Sequence, residues 1–123
     1  MIILHITTRA AWDAAAAADG YQPASLASEG FLHCSTPAQT VATANKYFRG
    51  RTDLILLCID DARLIPELRH EAPFGLVEED PRAREQFPHI YGALNLDAVI
   101  RTIPFPSARD GSFALPSELA PES

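Results

Sequence analysis

The chain predicts a compact α+β domain of strands with flanking helices. Three features carry this reading. Residues 1–7 and 54–59 are nearly unbroken apolar runs of strand length. Residues 37–48 place apolar side chains at helical spacing behind a helix-start signature. Residues 9–18 are alanine-rich, which favours a second helix.

In the first run only His5 and Thr7 are polar, which fits a strand buried on both faces or an early central strand. Alternation sets Ile2, Leu4 and Ile6 on one face and Ile3, His5 and Thr7 on the other. His5 is then either a satisfied core histidine or a functional group near the strand's C-terminal end. Thr8 suits the cap of the following helix and Gly20 its stop. Trp12 anchors that helix in the core or lines a cleft. Residues 21–29 read as a loop with one short turn. In it Ser25, Leu26 and Glu29 either border a pocket or serve as caps and solvent contacts.

Residues 30–39 hold the densest set of candidates. Gly30 lets the chain turn into the apolar pair Phe31 and Leu32. Thr36 suits the N-cap, Pro37 the first helical position and Gln39 the third, which makes a capping box. A helix start leaves unpaired N–H groups and partial positive charge, where phosphate or carboxylate binds. In extended backbone His33 and Ser35 share a face while Cys34 takes the other. His33 and Ser35 then address one ligand together. The alternative is local: Ser35 or Thr36 caps, His33 bonds to backbone, and Cys34 fills core.

After a turn at 49–53, the strand at 54–59 ends at Asp60 and Asp61, which form a turn or cap a short helical turn. Residues 68–71 read as a short edge strand, with Leu68 and His70 opposite Arg69 and Glu71. Glu71 is either a site carboxylate or half of a surface ion pair. Residues 77–85 are densely charged and read as an exposed loop or a short helix from Pro81. Residues 87–92 read as a structured loop carrying His89 and Tyr91 to a small ligand, or plugging the core with Phe87 and Tyr91. Asn95 is placed to tie that loop to backbone. Residues 98–105 form a late strand holding Arg101, and Asp110 with Gly111 predicts a turn into a hairpin partner at 112–115. These elements make one domain over residues 1–116, with 117–123 as a flexible tail.

At 123 residues and 47% hydrophobic side chains, the chain has enough apolar surface for a real core. Ten basic against 16 acidic side chains give a net charge of -6, which argues against a broad basic nucleic-acid-binding surface. No run approaches the roughly 18 apolar residues of a membrane helix, so no membrane role is expected. Cys34 and Cys58 form no CxxC unit, and a reducing cytoplasm is the expected compartment. His5, His33, His89 and Cys34 lack the spacing of a compact zinc motif, and no metal is predicted.

The order of these motifs resembles a family of small bacterial and plant proteins, number 952 in the domain-of-unknown-function series. The matching pieces are Leu4 to Thr7, Trp12, Ser25-Leu26, Glu29 to Thr36, Gln39, Asn45, Phe48 and Asp60. They continue through Glu71, Pro88 to Gly92, Leu94-Asn95 and Ala98-Val99, so the likeness spans residues 2–116. Ala93 stands where the family often has proline.

The resemblance implies a fold like that of ADP-ribosyltransferases and NAD-using RNA 2'-phosphotransferases, the ADP-ribosylation fold, with a compact mixed or split β-sheet and flanking helices. There an early strand often reads His-Gly-Thr, where this chain has His5, Ile6 and Thr7. It implies NAD or an ADP-ribose-like nucleotide as the candidate ligand, held by His5, Thr7, Ser35, Thr36 and Tyr91. His33, Glu71 and His89 are the implied catalytic groups, with Glu71 stabilising charge at the ribosyl carbon or orienting a hydroxyl. Two other functions compete: histidine-dependent hydrolysis or other acid–base chemistry by His33 and His89, and ligand binding or protein interaction without turnover.

Overall fold

The computed structural model describes residues 1–18, 20–72 and 85–119. The reading of residues 77–84 lies outside them. Strand β1 (Ile2–Thr8) runs directly into helix α1 (Arg9–Ala18), where Thr8 Oγ1 accepts the Ala11 N–H at 3.0 Å as the predicted cap. A short helix α2 (Ala24–Glu29) fills the stretch read as a loop with one turn. Gly30 closes it at φ +86°, donating to Leu26 O at 3.0 Å. Then follow β2 (Leu32–His33), α3 (Pro37–Tyr47), β3 (Leu54–Asp60), β4 (Glu67–Glu71), β5 (Phe87–Tyr91) and β6 (Val99–Pro104). Single 3₁₀ turns occupy Asp61–Arg63, Leu96–Ala98 and Ser117–Leu119. Asp60 Oδ1 caps the first of these through Ala62 N–H at 3.0 Å.

The strands form two antiparallel sheets of three, ordered β1-β3-β6 and β2-β5-β4. The sheet is therefore split, and the mixed alternative is corrected: every strand pair among the described residues is antiparallel. β3, not β1, is the central strand of its sheet. β1 is nonetheless buried on both faces. Ile3, Ile55, Leu57 and Ile59 meet Leu32 and Ile90 of the second sheet in one core, with Ala15 of α1. Leu4, Leu56, Cys58 and Ile103 meet Ala44 of α3, Phe105 and Phe113 in the other. Burying one such large apolar side chain contributes about 1.5–3 kcal/mol. Leu119 packs on the second core.

Two sequence expectations are corrected. Residues 87–91 form the central strand of the second sheet rather than a loop. Pro88 masked this, since proline belongs at sheet edges. Its carbonyl faces β2, accepting Cys34 N–H at 3.0 Å, so the position of its missing N–H faces β2 as well. β2 ends at His33, so the lost donor falls just beyond the paired region. Residues 112–115 form no strand. The turn at Asp110 and Gly111 exists, with Gly111 at φ +88°, but Phe113 N–H goes to Asn45 Oδ1 at 2.8 Å instead of to a ladder.

Register in the second sheet sorts its side chains. Leu32, Ile90 and Leu68 lie side by side across the three strands, and their face points into the core between the sheets. His33, His89 and Arg69 form the neighbouring row, on the opposite face.

Candidate functional site

The site occupies the split between the two sheets. In residues 32–35 the backbone groups alternate sides. Cys34 N–H turns to β5, whereas Ser35 exchanges two bonds with Leu4 of β1, at 2.7 and 2.8 Å. One step further that pairing stops. The next carbonyl facing β1, His33 O, is taken by the side chain of His5, whose Nδ1 lies 2.6 Å away. The strands part there around a cavity of about 580 Å³. His5, Ile6 and Tyr21 line its β1 side, Thr43, Tyr47 and Phe48 come from α3 and its C-cap, and His33, Ser35, Phe87, His89 and Glu29 come from the other side.

His5 is a satisfied core histidine. It is 7% exposed, and burial pushes its imidazole down to about 4, so it is neutral at pH 7. A carbonyl only accepts, so Nδ1 carries the proton toward His33 O and Nε2 is left as an acceptor. Tyr21 Oη lies 2.8 Å from that Nε2 and 2.8 Å from Thr7 Oγ1. The phenol therefore donates to His5 and receives the Thr7 hydroxyl proton. Burial pushes the Tyr21 phenol up, which keeps it protonated for this role. Both nitrogens of His5 are thus occupied by the protein.

The second sheet supplies a different arrangement. His89 is 3% exposed, and its Nδ1 meets Glu71 Oε1 at 3.0 Å. The same oxygen accepts the Tyr91 hydroxyl at 2.5 Å, and the Arg69 guanidinium sits 4.3 Å from the Tyr91 ring centre. The Tyr91 and His89 bonds hold the Glu71 carboxyl below its ordinary range. Burial lowers His89, against the raising effect of Glu71. A neutral imidazole held by an ionised acceptor carries its proton on Nδ1 and leaves Nε2 as a base. Nε2 has no partner among the described residues, and His89 lines the cavity. Phe31 stacks on His89 at 4.3 Å and 24°, fixing the ring plane. His33 is bound through Nε2 to Glu29 Oε2 at the more exposed end.

The helix-start reading is corrected in one respect. The N–H groups of Cys34, Ser35, Thr36 and Gln39 are all used within the protein, the Thr36 N–H by Gln39 Oε1 at 3.0 Å. The predicted capping box is present, so the start of α3 offers no ring of free donors. Thr36 stays at the cap, off the cavity wall. Ser35 is 4% exposed and on the wall, and its hydroxyl has no partner among the described residues. Cys34 packs in the core between the sheets, and burial pushes its thiol far up.

Of the residues singled out from sequence, His5, His33, Ser35 and His89 share one cavity, which Glu29, Cys34 and Phe87 also border. Glu71 and Tyr91 stand behind His89, and Thr7 stands behind Tyr21. Tyr21 and Phe31 were not foreseen. A tyrosine opening a polar stretch carries no periodic signal, and Phe31 reads only as an apolar strand residue. Among the described residues, no group of His, Cys, Asp and Glu is arranged to hold a metal ion. Among them, no helix is long and apolar enough to cross a membrane.

A model for a protein family of unknown function, DUF952, matches residues 6–102. The chain belongs to this family. The crystal structure of protein CC0527 from Caulobacter crescentus is 33% identical, with a TM-score of 0.81, and the match covers 97% of this chain and 98% of that one. The solution NMR structure of the same protein is 34% identical with a TM-score of 0.74, over 90% of each chain. No curated protein matches the chain. The split-sheet architecture is thus shared with another solved protein.

Proposed function

We propose that the cavity is a small-molecule site in which His89, oriented by Glu71, accepts and returns a proton. One observation carries this: Glu71 Oε1 holds His89 Nδ1 at 3.0 Å, while Nε2 of this cavity-lining residue has no partner among the described residues. A positioned imidazole of this kind contributes about 10²–10⁴-fold to a proton-transfer step. The chemistry is acid–base rather than covalent. Cys34 is buried as a thiol, and Ser35 makes no hydrogen bond to a histidine. The two free, buried cysteines suit a reducing compartment such as the cytoplasm.

A nucleotide reading, with NAD or an ADP-ribose-like ligand and ADP-ribosyl transfer, draws on the likeness of the His5–Thr7 strand to the ADP-ribosylation fold. Tyr47 and Phe48 give a base something to stack on. It has the weaker support. A pyrophosphate needs cationic side chains or free helix-start donors. Among the described residues the wall carries no lysine or arginine, and the N–H groups of Ser35, Thr36 and Gln39 are already bonded.

The test is protein-observed NMR with a fragment library and, separately, NAD and ADP-ribose. Fragment shifts should centre on His33, Ser35 and His89, and His89→Asn should weaken the hits several-fold without loss of fold. Imidazole nitrogen shifts should report the Nδ1-protonated tautomer for His89 at neutral pH. Hits that map elsewhere, or a His89 protonated on Nε2, would refute the proposal. Saturable binding of NAD at the same residues would favour the nucleotide reading instead.

A further inference from the structure

We infer that the ligand of this cavity is an uncharged compound with an apolar body and an amide-type group, a donor and an acceptor side by side. This rests on the cavity being a small-molecule site, as proposed above, but not on His89 moving a proton. The inference starts from the edge of β1. An extended residue points its N–H and C=O to the same side, and residues two apart share that side. Leu4 sends both groups to Ser35. β1 pairs with β3 without a register shift from Ile2 to Thr8, so both backbone groups of Ile6 point away from β3, toward the split. The strand that would meet them has been held off at His33 O by the His5 side chain. Ile6 lines the cavity, and its outward N–H and C=O have no partner among the described residues. They form one unfilled rung of a ladder. A backbone donor and acceptor side by side on a cavity wall offer two hydrogen bonds to a ligand with the complementary pair.

Two side chains extend the pattern. Ser35, next to the last completed rung, is 4% exposed and on the wall, and its hydroxyl has no partner among the described residues. His89 lines the same cavity, and its Nε2 has no partner among the described residues. The charge balance selects against ions. Among the described residues no lysine or arginine lines the cavity, and the single carboxylate on its wall, Glu29, is already bound to His33. An anion would meet no countercharge among these residues, and a cation would have to break that pair. Phe87, Tyr47 and Phe48 supply apolar wall for the body of the ligand.

The experiment compares phenylacetamide, methyl phenylacetate, phenylacetate and phenethylamine by protein-observed NMR, with amide hydrogen exchange at Ile6. The amide should bind at least tenfold more tightly than the ester, the acid or the amine. It should slow exchange of the Ile6 N–H several-fold, and Ser35→Ala should weaken it while the free protein keeps its spectrum. Equal affinity for amide and ester, tighter binding of either ion, or an Ile6 amide unaffected by bound phenylacetamide would overturn the ligand class and leave the site standing. Absence of binding by all four at millimolar concentration, together with no fragment hits in the cavity, would overturn both.

Discussion

Acid should destabilise this protein in a way that traces to His5. The imidazole titrates at its ordinary 6.5 in the unfolded chain and at about 4 in the fold, because burial disfavours the charged form. The sign follows from proton counts. Above about pH 6.5 the ring is neutral in both states and has no pH-dependent effect. Below it the unfolded state takes up the proton first, so stability falls until the folded ring also protonates near 4. Between about pH 7.5 and about pH 5, two pKa values of 6.5 and about 4 give a loss of about 2 kcal/mol from this residue alone.

His5→Asn tests it, since an asparagine amide keeps a donor toward His33 O but cannot charge. At neutral pH the variant should be less stable by about 1–3 kcal/mol, through lost packing and the lost Tyr21 contact. Urea denaturation at the two pH values should show that gap narrowing by about 2 kcal/mol in acid. Contributions common to both proteins drop out of the difference. Parallel pH curves for the two proteins would refute the argument, because they would mean His5 is not the buried neutral group described.

Three further outcomes follow from the packing. Ile90 is fully buried between the sheets, so Ile90→Ala should cost about 2–5 kcal/mol by chemical denaturation. Gly92 sits at φ +149°, and a Cβ there would come within 2.9 Å of Pro66 Cβ; Gly92→Ala should lower stability by about 1–3 kcal/mol, visible as a reduced Tm. Cys34 and Cys58 are 4% and 3% exposed, with thiols raised by burial, so neither should react with iodoacetamide until the protein is unfolded, as read by intact mass.

Much of the fold was legible because periodicity and end signals are local properties. The cap by Thr8, the box at Thr36 and Gln39, the turn after Asp60 and the edge strand ending at Glu71 all sit where the residues put them. Asn95 ties backbone as read, accepting Ile65 N–H at 3.0 Å and donating to Arg63 O at 2.9 Å. Residues 87–91 failed because their strand character is tertiary: a proline is tolerated in a central strand only where its neighbour happens to end. The site divides along the same line. Alternation put His33 and Ser35 on one face, and they share a wall. It had no means of foretelling that His5 would spend both nitrogens on His33 O and Tyr21, since those partners are 28 and 16 residues away. Nor does any spacing announce that Glu71 meets His89, a contact set by the β4–β5 register.

The missing hydrogen of Pro88 has a reach well beyond its own position. Residues 33–35 serve two neighbours by alternation: Cys34 faces β5, while His33 and Ser35 face β1. At Pro88 the zipper along β5 meets a tooth that cannot close, and Cys34 keeps one bond of the usual two. The pairing of β2 with β5 thus stops beside an atom that is not there, in a residue outside the cavity wall. One short segment joins both sheets through two ladders, each cut short by a ring: the proline of β5 on one side and the imidazole of His5 on the other.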